Sequence, residues 1–266
     1  MEKTERDAIV RLIKREVVPA IGCTEPIAVA LCVAKAARLL GKVPEKIEVL
    51  LSANILKNAM GVGIPGTDMI GLPIAVALGA LAGNPDYQLE VLKDITPADV
   101  ERGKQLIAEQ RIDIQLKADI SEKLYIEVIV CAGSDKAVAI IAGGHTTFVY
   151  EERNGQVLLD HRTSSSDEED DDDCGLTLRK VYDFALTAPL DEIEFILESA
   201  RLNKAAAEAS FKGRYGHSLG RSLRDDYERR VMGDSVFTHI LSYTSGACDA
   251  RMAGAMIPVM SNSGSG

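Results

Sequence analysis

The chain has 266 residues, 46% of them hydrophobic and 26% charged, with 30 Lys+Arg against 40 Asp+Glu and a net charge of −10. Such a composition supplies a sizeable core for one large or two ordinary domains, and it excludes a disordered chain or a disulfide-stapled miniature. No basic excess is present to neutralise phosphates, which argues against a nucleic-acid partner.

Residues 1–110 read as a mainly helical zone. Ala8, Ile9, Leu12, Ile13 and Val17 recur at helical spacing over 7–18. This N-terminus is charged throughout and has no apolar stretch of the secretory kind. Gly22-Cys23-Thr24-Glu25-Pro26 then interrupts, and a helix is expected over 26–40. Thr24 is placed to cap it, Glu25 to meet the positive end of its dipole, Pro26 to fill its first turn and Gly41 to end it. Residues 46–52 alternate as a strand, and helices are expected at 54–60, 72–81, 87–93 and 97–109. The longest apolar stretches, 27–40 with Lys35 and 70–82 with Pro73, fall short of the roughly 20 residues that span a bilayer. A cytoplasmic protein without a membrane partner is expected.

Residues 111–161 form a β-rich zone. The segment 111–117 alternates strictly, Leu124, Ile126, Val128 and Val130 share one strand face, and 138–141 and 146–149 continue the pattern. Asn154-Gly155 is a strong hairpin signal. A small antiparallel subdomain is predicted here. The span 162–175 reads as an acidic linker: Asp167–Asp173 is an unbroken run of seven acids, carrying most of the net charge. Residues 176–266 return to helices, at 177–186, 190–211, 218–231 and 235–256, with Ile193, Ile196, Leu197 and Ala200 on one face of the second. The fold class is therefore α+β, with mainly helical zones flanking a small antiparallel sheet.

The five cysteines, Cys23, Cys32, Cys131, Cys174 and Cys248, are odd in number, scattered and without a CxxC pair, as suits reduced cytoplasmic thiols. Cys23 stands out because a helix N-terminus favours the thiolate, which serves as a base, a nucleophile or a metal ligand. A small buried thiol beside a helix cap has the same spelling. Asn54, Lys57 and Asn58 fall at i, i+3 and i+4, so one helix face could hold a carboxylate, or be plain exposed surface. Gly61, Gly63 and Gly66 let the backbone approach a ligand closely. His145, after Gly143-Gly144, reads as a ligand-facing or a structural histidine. The Ser/Gly/Asn-rich end at 261–266 offers N–H groups and hydroxyls to an anion, or is a frayed end.

Together PAIGCTEPIAVAL (19–31), NILKNAMGVGIPGTDMIGLPIAVALGALAG (54–83), LEVLKDIT (89–96), AGGHT (142–146) and DARMAGAMIPVMSNSGSG (249–266) resemble the L-cysteine desulfidases, relatives of the iron–sulfur L-serine dehydratases. The resemblance implies a cytoplasmic, pyridoxal-independent lyase that degrades L-cysteine to hydrogen sulfide, ammonia and pyruvate with a [4Fe–4S] cluster. By position it makes Cys23 the catalytic base or iron-proximal thiol. Thr24, Glu25, Asn54, Lys57, Asn58 and His145 would line the substrate pocket, and Ser261, Asn262, Ser263 and Gly264 would hold the substrate carboxylate. Residues 176–266 would begin the serine-dehydratase-like catalytic domain. The family's cluster cysteines lie beyond SNSGSG, so no metal ligands are expected within this chain, which reads as lacking a C-terminal portion and as inactive alone. His217 stands where the family pattern expects an apolar residue, and the acidic run reads as a local insertion. An L-serine dehydratase of the same fold and a non-catalytic amino-acid- or partner-binding module are the alternatives. The expected partners are a small amino acid and, in a homodimer, a second copy.

Overall fold

The computed structural model describes residues 1–162, 175–225, 231 and 233–261. Helix α1 (Lys3–Glu16), strand β1 (Val18–Ile21) and helix α2 (Thr24–Leu40) open the chain, followed by β2 (Lys46–Leu51) and α3 (Ala53–Ala59). A small hairpin, β3 (Gly63–Ile64) and β4 (Met69–Ile70), precedes α4 (Leu72–Ala82) and α5 (Pro97–Ala108). Five strands come next: β5 (Ile112–Leu116), β6 (Tyr125–Ala132), β7 (Asp135–Ala142), β8 (Phe148–Arg153) and β9 (Gln156–Asp160). The C-terminal part holds α6 (Leu178–Thr187), α7 (Leu190–Ile193), α8 (Leu197–Lys212), α9 (Leu219–Ser222), α10 (Val236–Met252) and β10 (Pro258–Ser261). The architecture is α+β.

The main sheet has the order β5-β2-β6-β7-β8-β9. All of its pairings are antiparallel except β2 with β5, so the expected antiparallel sheet is mixed at one edge and takes β2 from the helical zone. Alternation in β6 buries Ile126, Val128 and Val130 on the face that receives α2. Asn154 and Gly155, both at positive φ, turn β8 into β9 as a primed hairpin turn.

From Pro26 to Ala34 helix α2 is apolar on every side because it is covered on every side, between the sheet and α4, and only its last turns, with Lys35 and Arg38, reach solvent. Ile27, Leu31 and Leu40 are fully buried in it, each worth about 1.5–3 kcal/mol. Gly41, at φ +74°, ends the helix as expected. The two helices touch backbone to backbone: a Cβ on Gly79 would lie 2.5 Å from the Ala30 carbonyl oxygen. Gly79→Ala gains up to about 1 kcal/mol of helix propensity but overpacks a rigid contact, at about 1–3 kcal/mol. A lowered melting temperature is the expected result; a raised one would show that the helices part without penalty.

Three expected helices differ. Residues 87–93 contain no α-helix; a 3-10 turn at Pro85–Glu90 breaks at Gln88, φ +51°. Leu89, Val91 and Leu92 are all buried, and the i, i+2 pair among them does not share a helix face. The helix read over 190–211 is split into α7, a 3-10 turn and α8, entered from Pro189. Its buried residues are Ala206, Ala207 and Ser210 rather than Ile193, Ile196, Leu197 and Ala200, because small residues let α8 approach α10 at Gly246. Of the helix expected over 218–231, α9 covers four residues and 226–230 lie outside the described residues, as does the acidic run.

The two ends of the chain meet. Strand β1 pairs antiparallel with β10, Val18 opposite Ser261 and Ile21 opposite Pro258. On the other edge of β10, Asn203 of α8 acts as a one-residue strand: the Met260 N–H donates to Asn203 Oδ1 at 2.8 Å, and Asn203 Nδ2 donates to the Met260 carbonyl at 3.4 Å.

Candidate active site

Strand β1 ends in a turn that only glycine fits. Gly22 has φ +85°, and a Cβ there would lie 2.7 Å from Cγ of Pro65. The turn sets Cys23 at the N-cap of α2 and Thr24 and Glu25 in its first turn, all three buried. The Glu25 carboxylate accepts hydrogen bonds from Cys23 Sγ at 3.0 Å, Thr24 Oγ1 at 3.1 Å and Asn58 Nδ2 at 3.4 Å. Burial alone would raise its pKa, but the bonds from Cys23, from its own backbone N–H and from Thr24, with the nearby His145, hold it below the usual carboxylate range.

Two sequence expectations are corrected here. Thr24 does not cap α2, since its hydroxyl is turned to Glu25. The Cys23 thiol is pushed up to about 12, by burial first and then by its hydrogen bond to Glu25 and that residue's charge; Arg251 opposes the rise. The helix dipole is a fraction of a charge, whereas Glu25 is a whole one two residues away. The resting proton sits on sulfur.

Two further groups face this pair. Arg251, in the last turn of α10, donates from Nε to the Gly22 carbonyl at 3.4 Å. His145 lies in the β7–β8 loop, shaped by Gly143 at φ +77° and a Thr147 N–H to Gly144 carbonyl bond, beside a register shift in the β7–β8 pairing. It is 7% exposed. Burial pushes its pKa down, against the charges of Glu25 and Glu16, so it rests neutral. Among the described residues, neither Arg251 Nη2 nor His145 Nδ1, both buried, has a hydrogen-bond partner. Unsatisfied groups of this kind cost about 1–3 kcal/mol each and call for an explanation. His145 also walls a cleft of about 890 Å³ between the end of α1, β1, the 85–90 turn and this loop.

These shifts set a stability window. His145 is held below its ordinary 6.5, so as pH falls through that value the unfolded chain takes a proton the folded one refuses. Cys23 is held above its ordinary 9.0, so above pH 9 the unfolded thiol ionises while the folded one does not. Stability should decline on both sides, with Glu25 adding to the acid loss. Denaturant midpoints measured across pH are expected to lose part of the alkaline fall in Cys23→Ala, the buried Cys32 thiol, also pushed up, keeping the rest, and part of the acid fall in His145→Gln; unchanged limbs would remove these assignments.

Of the residues singled out by sequence, the structure gathers Cys23, Thr24, Glu25, Asn58 and His145. Asn54 and Lys57 are exposed on α3. Ser261 contributes its backbone to β10, and Asn262, Ser263 and Gly264 lie outside the described residues. Gly63 and Gly66 make room for residues 253–256 rather than for a ligand. Sequence reasoning passed over Arg251 and Asn203. The DARMAGA segment was the available signal for the first; nothing local marks the second.

Cys174 lies outside the described residues; of the others, Cys32 is in the core on α2, Cys131 is on β6 and Cys248 is exposed on α10. Among the described residues, no group of three or more His, Cys, Asp or Glu is arranged to hold a metal ion, so they do not fit a [4Fe–4S] cluster, which takes three or four cysteines. No helix among them is long and apolar enough to cross a membrane.

Residues 86–266 match the family described as serine dehydratase alpha chain. The match takes in His145 and Arg251 and begins after Cys23, Thr24 and Glu25. The chain is similar to a UPF0597 protein of Bacteroides thetaiotaomicron, 74% identical over 266 residues that cover all of this chain and 62% of that relative. A UPF0597 protein of Porphyromonas gingivalis is 52% identical over 272 residues, covering 100% and 63%. One of Aeromonas hydrophila is 44% identical over 267 residues, covering 99% and 60%. The chain thus spans about three fifths of the length of the curated relatives it matches. No solved structure matches it.

Proposed function

The chain belongs to the serine dehydratase alpha-chain family, and from that premise we propose that it carries the proton-transfer site of a β-eliminating lyase acting on L-cysteine. The observation that carries this is the buried Cys23–Glu25 pair at the start of α2, beside the cleft walled by His145. Elimination breaks the Cα–H and Cβ–S bonds of the substrate, forms a Cα–Cβ double bond and releases sulfide. The aminoacrylate left behind takes up water to give pyruvate and ammonia, so L-cysteine and water yield hydrogen sulfide, ammonia and pyruvate.

Cys23 is the group assigned to the Cα proton. A thiol at a pKa of about 12 beside a carboxylate held below its usual range keeps its proton at rest, so Cys23 becomes a base only when the bound substrate draws that proton across to Glu25, 3.0 Å away. Asn58 and Thr24 steady that carboxylate, and His145 supplies a neutral polar contact. The N–H groups and hydroxyls of 261–264 are assigned to the substrate carboxylate. An iron–sulfur cluster, implied by the resemblance, has no ligand set among the described residues, and no step is routed through it.

The test is stoichiometric. Protein purified anaerobically in its native reading frame should release sulfide and pyruvate in equal amounts from L-cysteine. Absence of both products would overturn the proposal. The family's serine dehydratases favour a second reading, in which water rather than sulfide leaves; a higher kcat/KM for L-serine than for L-cysteine would establish it. Saturable amino-acid binding without turnover would instead indicate a binding module.

A further inference from the structure

The proton transfer described above leaves two polar atoms near the Cys23 turn without work: Nη2 of Arg251 and, on the cleft wall, Nδ1 of His145, both buried and without a partner among the described residues. We propose that the α-carboxylate of the substrate, assigned above to 261–264, is anchored in addition by Arg251, with His145 as the neighbouring donor. This rests on the reading that the pocket takes a small α-amino acid.

An arginine in the last turn of a helix ordinarily answers the helix dipole from the surface. Arg251 does something else. Its Nε reaches 229 residues back along the chain to the Gly22 carbonyl, which fixes the guanidinium at the turn that presents Cys23. Its charge acts on both Cys23 and His145. The adjacent acid does not consume it, because the Asp249 carboxylate accepts from the Gly220 N–H at 2.9 Å. No ion pair joins Arg251 to an acid among the described residues. A planar guanidinium with one edge fixed and a free N–H beside it matches a carboxylate. Nearby, Glu25 is the anionic group. Arg251 bonds Gly22 and Glu25 bonds Cys23, so a cation and an anion meet the chain at adjacent residues, the complement of a zwitterion: carboxylate to Arg251, ammonium toward Glu25. Simple amines and simple acids each satisfy only half of it.

The experiment uses L-alanine, an amino acid with no β-leaving group, and ethylamine, which lacks the carboxylate. Calorimetry on the full native chain should show L-alanine affinity falling on the order of 50-fold in Arg251→Gln and by about 10-fold in His145→Phe. Arg251→Lys should recover part of the loss, since it keeps the charge without the fork. Ethylamine affinity should not change among the Arg251 variants. KM for L-cysteine should rise with the L-alanine Kd. Equal L-alanine affinity in the native protein and Arg251→Gln overturns the proposal. Should Arg251→Gln fail to fold, Arg251→Lys decides: a raised KM at an unchanged melting temperature supports the anchor, and an unchanged KM removes it. Arg251-dependent L-alanine binding without turnover of L-cysteine or L-serine upholds the anchor and overturns the lyase. Turnover of L-cysteine with an affinity indifferent to Arg251 does the reverse.

Discussion

Cys23→Ala is expected to lower kcat for L-cysteine by about 10²–10⁴-fold, the range set by removal of a positioned proton-transfer group, while KM moves by no more than a few-fold. The split follows from where the thiol sits. It is bonded to Glu25 rather than spread along the cleft, so its loss falls on the transition state more than on binding. Cys23→Ser keeps a hydrogen bond to Glu25 but puts a much weaker acid in place of the thiol, and its kcat should lie close to that of Cys23→Ala. Glu25→Gln removes the proton acceptor. If the two residues act as one unit, Cys23→Ala combined with Glu25→Gln should be little worse than either alone. Additive losses would show separate roles, and undiminished turnover in Cys23→Ala would reduce Cys23 to a core thiol. Melting temperatures of each variant separate these outcomes from unfolding.

What could be read from sequence was local. The end of α2 at Gly41 and the β8–β9 turn at Asn154-Gly155 were legible because one or two residues carry the whole physical reason. The role of β2 was not. Its alternation marked a strand, but its parallel partner β5 lies some sixty residues away, and alternation carries no record of pairing. The segment after Asn84 misled for a related reason: Leu89, Val91 and Leu92 satisfy a loose helical count, yet the core takes all three together from an irregular turn. The GCTEP spelling placed a cysteine at the start of α2, as the fold has it, but gave the sign of the thiol shift incorrectly. The dipole rule sees only the helix, whereas burial and the Glu25 charge decide the proton. Arg251 was illegible because a basic residue at a helix end has a sufficient local explanation, and its contact with Gly22 is a property of the folded chain.

Gly63→Val is the substitution expected to do most damage away from the reacting groups. A Cβ on Gly63 would lie 2.4 Å from both the carbonyl carbon and the oxygen of Ala253 and 2.8 Å from the Gly254 nitrogen. Gly254 faces it at φ +71°, where its own Cβ would lie 2.6 Å from the Gly63 carbonyl carbon. Both sides of the contact are backbone, so no side-chain rotamer relieves it. Beside it, the Gly66 N–H donates to the Gly254 carbonyl at 3.4 Å. Residues 253–255 leave α10 just after Arg251 and lead into β10, so this contact sets where both stand relative to Gly22 and Cys23. Overpacking of this kind costs about 1–3 kcal/mol, and more where nothing yields. The expected result is a lowered melting temperature together with a loss of L-cysteine turnover larger than the stability change explains, because the guanidinium and β10 are displaced from the turn. Gly61→Ala is the control on the same loop: no atom lies within 4 Å of a Cβ there, and its melting temperature should stay with that of the native protein. A Gly63→Val protein that melts and turns over normally would mean that the C-terminal segment is positioned by β1 and Asn203 alone.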